Sequence, residues 1–166
     1  MKKWLLLVCP LLLLFLLVVS GCSTLSNIIG STVPSVQTLT PAAGSFSSGT
    51  TAPYCTLTVQ PGSVSAPTEV TLSAAGNFPP SQVAPGTDLT SFSISAVGVS
   101  TLLQPATVTI DYGASSVTGL PTANIQIWEL LNGQSTWTLL NGSPNLSAYS
   151  DSVTVSTLGT FAIVAD

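Results

Sequence analysis

The chain has 166 residues, of which only Lys2 and Lys3 are cationic, against six acidic residues and no histidine. Nucleic-acid binding depends on Lys and Arg to neutralise phosphates, so this composition excludes a nucleic-acid partner. Without histidine, Ser-His-Asp and Cys-His arrangements lack their base, and zinc or copper sites lack imidazole. We therefore expect no enzyme, no cofactor and no such metal site.

The N-terminus has the pattern of an export signal. Lys2 and Lys3 precede an apolar run from Trp4 to Val19, and small residues follow it. A positive start, an apolar stretch and small residues before a cut are typical of secretory signals. The alternative is an uncleaved membrane anchor, but the run contains Pro10 and is shorter than the about 20 apolar residues that span a bilayer. The sequence favours cleavage.

The residues Val19-Ser20-Gly21-Cys22 resemble the lipobox family of bacterial signal peptides, in which signal peptidase II cuts before an acylated cysteine. The resemblance implies cleavage between Gly21 and Cys22 and a lipid, such as palmitate, on Cys22. The chain would then reach a membrane through acyl chains, with residues 1–21 as signal peptide. Ser23 occupies the position where Asp would indicate inner-membrane retention. In a two-membrane bacterium we therefore expect the outer membrane.

Residues 22–35 are rich in Ser, Thr, Gly and Asn, which predicts a lipidated flexible tether. Cleavage would also remove both lysines, leaving six acidic side chains without a cation. Of the three cysteines, Cys9 would leave with the signal and Cys22 would carry lipid, so Cys55 would have no disulfide partner. With no cation to activate its thiol, Cys55 is expected to be a small buried apolar residue in a strand.

Residues 36–166 consist of short β-runs separated by Gly, Pro and Asn, which predicts one all-β domain. Several runs alternate apolar and hydroxyl residues, as strands with one buried and one wet face do. The pattern indicates a two-sheet antiparallel β-sandwich of about eight or nine strands. Asn132-Gly133 predicts a hairpin. The predicted strands cover 54–60, 69–74, 89–96, 106–112, 124–130, 136–140, 152–156 and 160–164.

The predicted core consists of the apolar residues at alternating strand positions. Its members are Leu57, Val59, Val70, Leu72, Phe92, Ile94, Val108, Ile110, Ile125, Ile127, Val153, Val155, Phe161 and Ile163.

Several motifs together resemble the ZU-five fold, named for zonula occludens and uncoordinated-type netrin receptors. They are the runs 57–64 and 67–72, Phe78-Pro79-Pro80, the run 105–112, a Trp-containing hairpin and the closing run 160–164. The resemblance implies a β-sandwich used for interaction or architecture in exported bacterial proteins. Some relatives cut their own chain at a His-Phe-Ser motif, but the matching positions are Thr157-Leu158-Gly159. We expect no self-cleavage.

The acidic residues offer the remaining chemistry. Paired carboxylates can hydrolyse glycosides, and clustered ones can bind calcium. The six acids lie far apart in sequence and form no calcium-loop motif, although folding could bring some together. We expect them to be solvated charges on strand ends and turns, with thermal stability changing little between neutral and mildly acidic pH.

Two functions fit this description. The first is a lipid-anchored structural or protein-interaction module of the cell envelope, without catalysis and with an envelope protein as partner. The alternative is a glycan-binding module, with Tyr112, Trp128, Trp137 and Tyr149 as candidate contacts. Trp137 shares strand parity with Leu139, which suggests a core position, whereas Trp128 is out of phase with Ile127 and is expected to face water. A packing role for these aromatic residues is favoured.

Overall fold

A computed structural model describes residues 34–120 and 124–166. These residues form ten strands and one turn of 3-10 helix, Ala114–Val117. The predicted signal peptide, the cleavage site at Gly21 and Cys22, and most of the predicted tether lie outside the described residues. The strands are β1 Ser35–Leu39, β2 Gly44–Ser47, β3 Tyr54–Val59, β4 Thr68–Ala74, β5 Thr87–Ala96, β6 Thr101–Asp111, β7 Ile125–Leu131, β8 Trp137–Leu140, β9 Ser150–Thr157 and β10 Gly159–Ala165.

The strands form two antiparallel sheets, which confirms the predicted all-β sandwich. One sheet has six strands in the order β1-β4-β5-β10-β7-β8, and the other has four in the order β2-β3-β6-β9. The prediction missed β1 and β2. Both are short and mostly polar, so neither shows the apolar alternation by which strands are found in a sequence.

The main core lies between the two sheets, and every residue of the predicted core is buried there. Strand β3 shows why: Cys55, Leu57 and Val59 point inward, while Thr56 and Thr58 on the other face are partly exposed. Alternation of this kind places one face of each strand in the core.

A second apolar cluster lies on the outer face of the six-stranded sheet. Here Trp128, Trp137, Ala162 and Val164 are buried together with Ala84, and Phe78 and Leu130 pack against them. We call these seven residues the outer cluster. Phe78 and Ala84 belong to the segment between β4 and β5, which therefore packs over this face of the sheet. The end of this segment lies so close to β10 that a Cβ on Gly86 would collide with the carbonyl oxygen of Ala165.

The outer cluster corrects the expectation that Trp128 faces water. Trp128 does lie on the opposite face from Ile127, as the parity indicates, but the segment over that face buries it. Trp137 is buried, as its parity with Leu139 suggested, but it lies in the outer cluster, and Leu139 itself is half exposed. The hairpin at Asn132-Gly133 is confirmed: β7 pairs with β8, and the Gln134 N–H donates to the Leu131 carbonyl at 3.0 Å.

Candidate functional site

The four aromatic candidates do not form an exposed platform. Tyr112 is fully buried, and Trp128 and Trp137 are 8% and 9% exposed, whereas Tyr149 is 39% exposed. Tyr149 lies in the connection before β9, with a φ of 54°, and its carbonyl accepts from the Tyr112 N–H at 2.9 Å. A glycan stacks on exposed ring faces, and of these residues only Tyr149 offers one.

Two carboxylates are buried, which corrects the expectation that all six acids are solvated. Asp151 is 1% exposed and begins the inward-facing row of β9 that continues with Val153 and Val155. Its Oδ1 accepts from the Ser152 N–H at 2.7 Å. Burial raises the pKa of Asp151 to about 6, although the backbone N–H groups of Ser152 and Ser143 act in the opposite direction.

The hydroxyl of Tyr112 is buried near this carboxylate. It has no hydrogen-bond partner among the described residues. Burial raises the pKa of Tyr112, and the negative charges of Asp151 and Asp111 raise it further. The inner face at this end of the sandwich therefore holds an acid and an unpaired phenol in one apolar setting.

Glu129 is the second buried acid, and it lies at the inner position of β7 that follows Ile125 and Ile127. The Thr157 hydroxyl donates to its Oε1 at 3.0 Å. Burial raises the pKa of Glu129, and the hydrogen bond from Thr157 lowers it.

The two buried acids lie at opposite ends of the sandwich. Thr157, the partner of Glu129, ends β9, whereas Asp151 lies near its start. Six residues of strand span roughly 20 Å. Glycosidases hold their two carboxyl groups about 5–10 Å apart, so Glu129 and Asp151 do not form such a pair. Among the described residues, no group of three or more His, Cys, Asp or Glu could hold a metal ion.

An open, polar cavity of about 500 Å³ lies beside β9, which is an edge strand of the four-stranded sheet. Leu140, Asn141 and Ser143 line one side, and Thr107, Ser152 and Thr154 line the other. Sequence reasoning missed this site because its residues come from three separate strands and a loop. The hydroxyl groups along β9 are the only signal of it in the sequence, and they are equally typical of the wet face of an ordinary strand.

Cys55 is fully buried in β3, and burial raises the pKa of its thiol to about 12. This confirms the predicted role as a small buried residue.

In the part of the chain that the structure describes, no helix is long and apolar enough to cross a membrane. Comparison of the chain with models of known protein families and with curated proteins gives no match.

Proposed function

We propose that this chain is a lipid-anchored structural or protein-interaction module of the cell envelope, without catalysis. The observation that carries the proposal is the sequence Val19-Ser20-Gly21-Cys22 after Lys2, Lys3 and an apolar run. Acyl chains on Cys22 would hold the module on the membrane, since more than one chain gives stable anchoring. The outer membrane is the proposed location in a bacterium with two membranes.

The structural features of the described residues support a module that binds or builds. Glu129 and Asp151 lie too far apart to act as a catalytic carboxylate pair. The Cys55 thiol is buried, and the described residues hold no cation that could activate it. The ZU-five resemblance, which the observed sandwich fits, adds an interaction or architectural role as part of the proposal. The glycan-binding alternative gains no support, because three of its four aromatic contacts are buried.

The anchor is tested by expressing the full chain in bacteria with an alkyne-tagged palmitate analogue. We expect the label on the processed chain and its loss in Cys22→Ser. Cys55→Ser is the matched control, because it also removes one thiol yet should keep the label. Labelling that survives Cys22→Ser, or no labelling of the parent chain, would overturn the anchor.

A further inference from the structure

Strand β9 pairs with β6 along one side only. In an antiparallel strand, the backbone groups of successive residues point alternately to the two sides. The Tyr149 carbonyl accepts from Tyr112 on the β6 side, whereas Ser150 exchanges hydrogen bonds with Asn145 on the other side. The even-numbered residues of β9 therefore direct their N–H and C=O groups away from β6.

The first part of this outer edge is occupied. The Ser150 N–H donates to the Asn145 carbonyl at 3.2 Å, and the Ser152 carbonyl accepts from the Ser143 N–H at 2.8 Å. Further along, the N–H and C=O groups of Thr154 and Ser156 have no hydrogen-bond partner among residues 34–120 and 124–166. Both residues are exposed. We call Thr154 and Ser156 the free edge.

The free edge lacks the side chains by which proteins usually prevent strand addition. Edge strands are commonly protected by lysine, proline or an inward-pointing charge. Strand β9 has no lysine or proline, and its one charge, Asp151, points into the core near the start of the strand, three residues before the free edge begins. On the opposite side of the sandwich, by contrast, the Gln37 side chain of β1 donates to the Ser47 carbonyl of β2 at 3.3 Å.

The polar cavity described above adjoins the free edge, because Thr154 belongs to both. A strand added here would run beside Thr154 and could place a side chain between Asn141 and Thr107. A cavity lined mainly by hydroxyl and amide groups suits a polar side chain better than an apolar one.

Charge distinguishes between two possible occupants of the free edge, a second copy of this chain and an extended segment of another protein. The described residues hold six acids and no cation, so a second copy would bring only charges of the same sign. A second copy that paired through this same edge would offer only its own Thr154 and Ser156, because the Leu158 N–H already donates to the Ser100 carbonyl at 3.0 Å. A basic extended segment from another protein meets no charge of its own sign among the described residues, and it can continue into the cavity beside Thr154.

We propose that the free edge of β9 binds an extended segment of a partner protein as an added antiparallel strand. The partner segment has uncharged side chains, alternately polar and apolar, and is flanked on both sides by Lys or Arg. This inference rests on the proposed interaction function and names the kind of partner. Peptide binding by strand addition gains its affinity from main-chain hydrogen bonds and its specificity from side-chain pockets.

The test uses the full chain in detergent micelles and the heptapeptide Lys-Thr-Val-Ser-Val-Thr-Lys. We expect the peptide to slow amide hydrogen exchange at Thr154 and Ser156 at least about tenfold. A peptide with the same side chains but N-methylated at alternate residues on its pairing edge should give no protection. A peptide with Phe in place of the central Ser should bind more weakly.

Ser156→Pro removes one outward N–H at a position where an edge strand tolerates proline, and it should weaken peptide binding about tenfold. Thr38→Val changes an exposed side chain of β1, outside the free edge and the cavity, and serves as the matched control, while thermal unfolding verifies that both variants are folded. Equal binding by the N-methylated peptide, or no protection by any peptide, would overturn the proposal. Protection that grows with protein concentration alone would also overturn it, in favour of self-pairing. Cys22 labelling is a separate readout, so the anchor and the edge can fail independently.

Discussion

The carboxylate of Asp151 lies directly against the backbone of Gly142. A Cβ at residue 142 would be 2.5 Å from Oδ2 and 2.6 Å from Oδ1 of Asp151. The connection that leaves β8 is thus packed onto a buried acid, with no space for a side chain.

Gly142→Ala should therefore destabilise the fold. The added methyl group must displace either the carboxylate or the connection, which costs about 1–3 kcal/mol of unfolding free energy. Urea unfolding measures this loss. Gly49→Ala is the matched control, since its Cβ would meet only the Tyr54 Cβ, at 3.7 Å. Equal stability of the two variants would contradict the close packing at Asp151.

The burial of Asp151 changes the expected pH dependence. Its folded pKa of about 6 is above its ordinary value of 3.8, so between these values the folded chain binds more protons than the unfolded chain. The unfolding free energy should therefore rise as the pH falls from 7 to about 4, by about 1–3 kcal/mol. Thermal or urea unfolding across this range measures the slope.

Asp151→Asn should remove most of this slope, because it removes the titrating group. Glu69→Gln is the matched control. Glu69 is exposed, so this substitution removes one negative charge without changing a buried site. If both variants keep the parent slope, general charge repulsion rather than Asp151 sets the pH dependence.

Glu129, the second buried acid, is linked to Thr157 by a side-chain hydrogen bond. Glu129→Gln keeps an oxygen that accepts from the Thr157 hydroxyl. It removes the buried carboxyl, whose pKa is raised by burial. It should raise the unfolding free energy at pH 7, with a smaller gain at pH 4, where the native carboxyl is more protonated. Thr157→Val should lower stability by about 1–2 kcal/mol, because the buried acid then loses its donor. Destabilisation by Glu129→Gln at pH 7 would contradict this account.

The unpaired hydroxyl of Tyr112 predicts an unusual result. Tyr112→Phe should leave the unfolding free energy unchanged or raise it by about 1 kcal/mol, because a buried hydroxyl without a partner is unfavourable. Tyr112→Leu, which removes most of the ring, should instead destabilise by more than about 1 kcal/mol. A clear loss in Tyr112→Phe would show that the hydroxyl has a partner in solution.

The outer cluster predicts the tryptophan fluorescence. In a Trp4→Phe variant only Trp128 and Trp137 emit, and both are buried. Their emission should be blue-shifted and poorly quenched by acrylamide. Phe78→Ala should increase quenching, because Phe78 packs against this cluster, whereas Phe46→Ala in the main core should not. Free quenching in the Trp4→Phe variant would contradict the covering of this face.

Local patterning was enough to predict most of the fold. The alternation in runs such as Val108-Thr109-Ile110 identified inward residues correctly, because a strand has only two faces and water covers one of them. The same rule failed for Trp128. Its face is covered by a segment distant in sequence, and no local pattern reports what packs onto a strand from elsewhere.

The site was harder to predict than the fold. Asp151 and Glu129 have inward parity with their apolar neighbours, but Asp and Glu are rarely buried, and that general preference led to the wrong expectation. The free edge of β9 depends on the order of strands within the sheet. Strand order is set by pairings between distant segments, so the sequence of β9 alone could not reveal it.

The position of β10 has a consequence for the order of assembly. This strand follows all the other described strands in the chain, yet it lies between β5 and β7 and alone connects β1-β4-β5 to β7-β8. Until β10 is in place, the larger sheet exists only as two separate groups of paired strands. The main core then lacks Phe161 and Ile163, and the outer cluster lacks Ala162 and Val164. Closure through such distant contacts is slow. A chain that reaches its destination unfolded would thus stay open until its last described strand arrives.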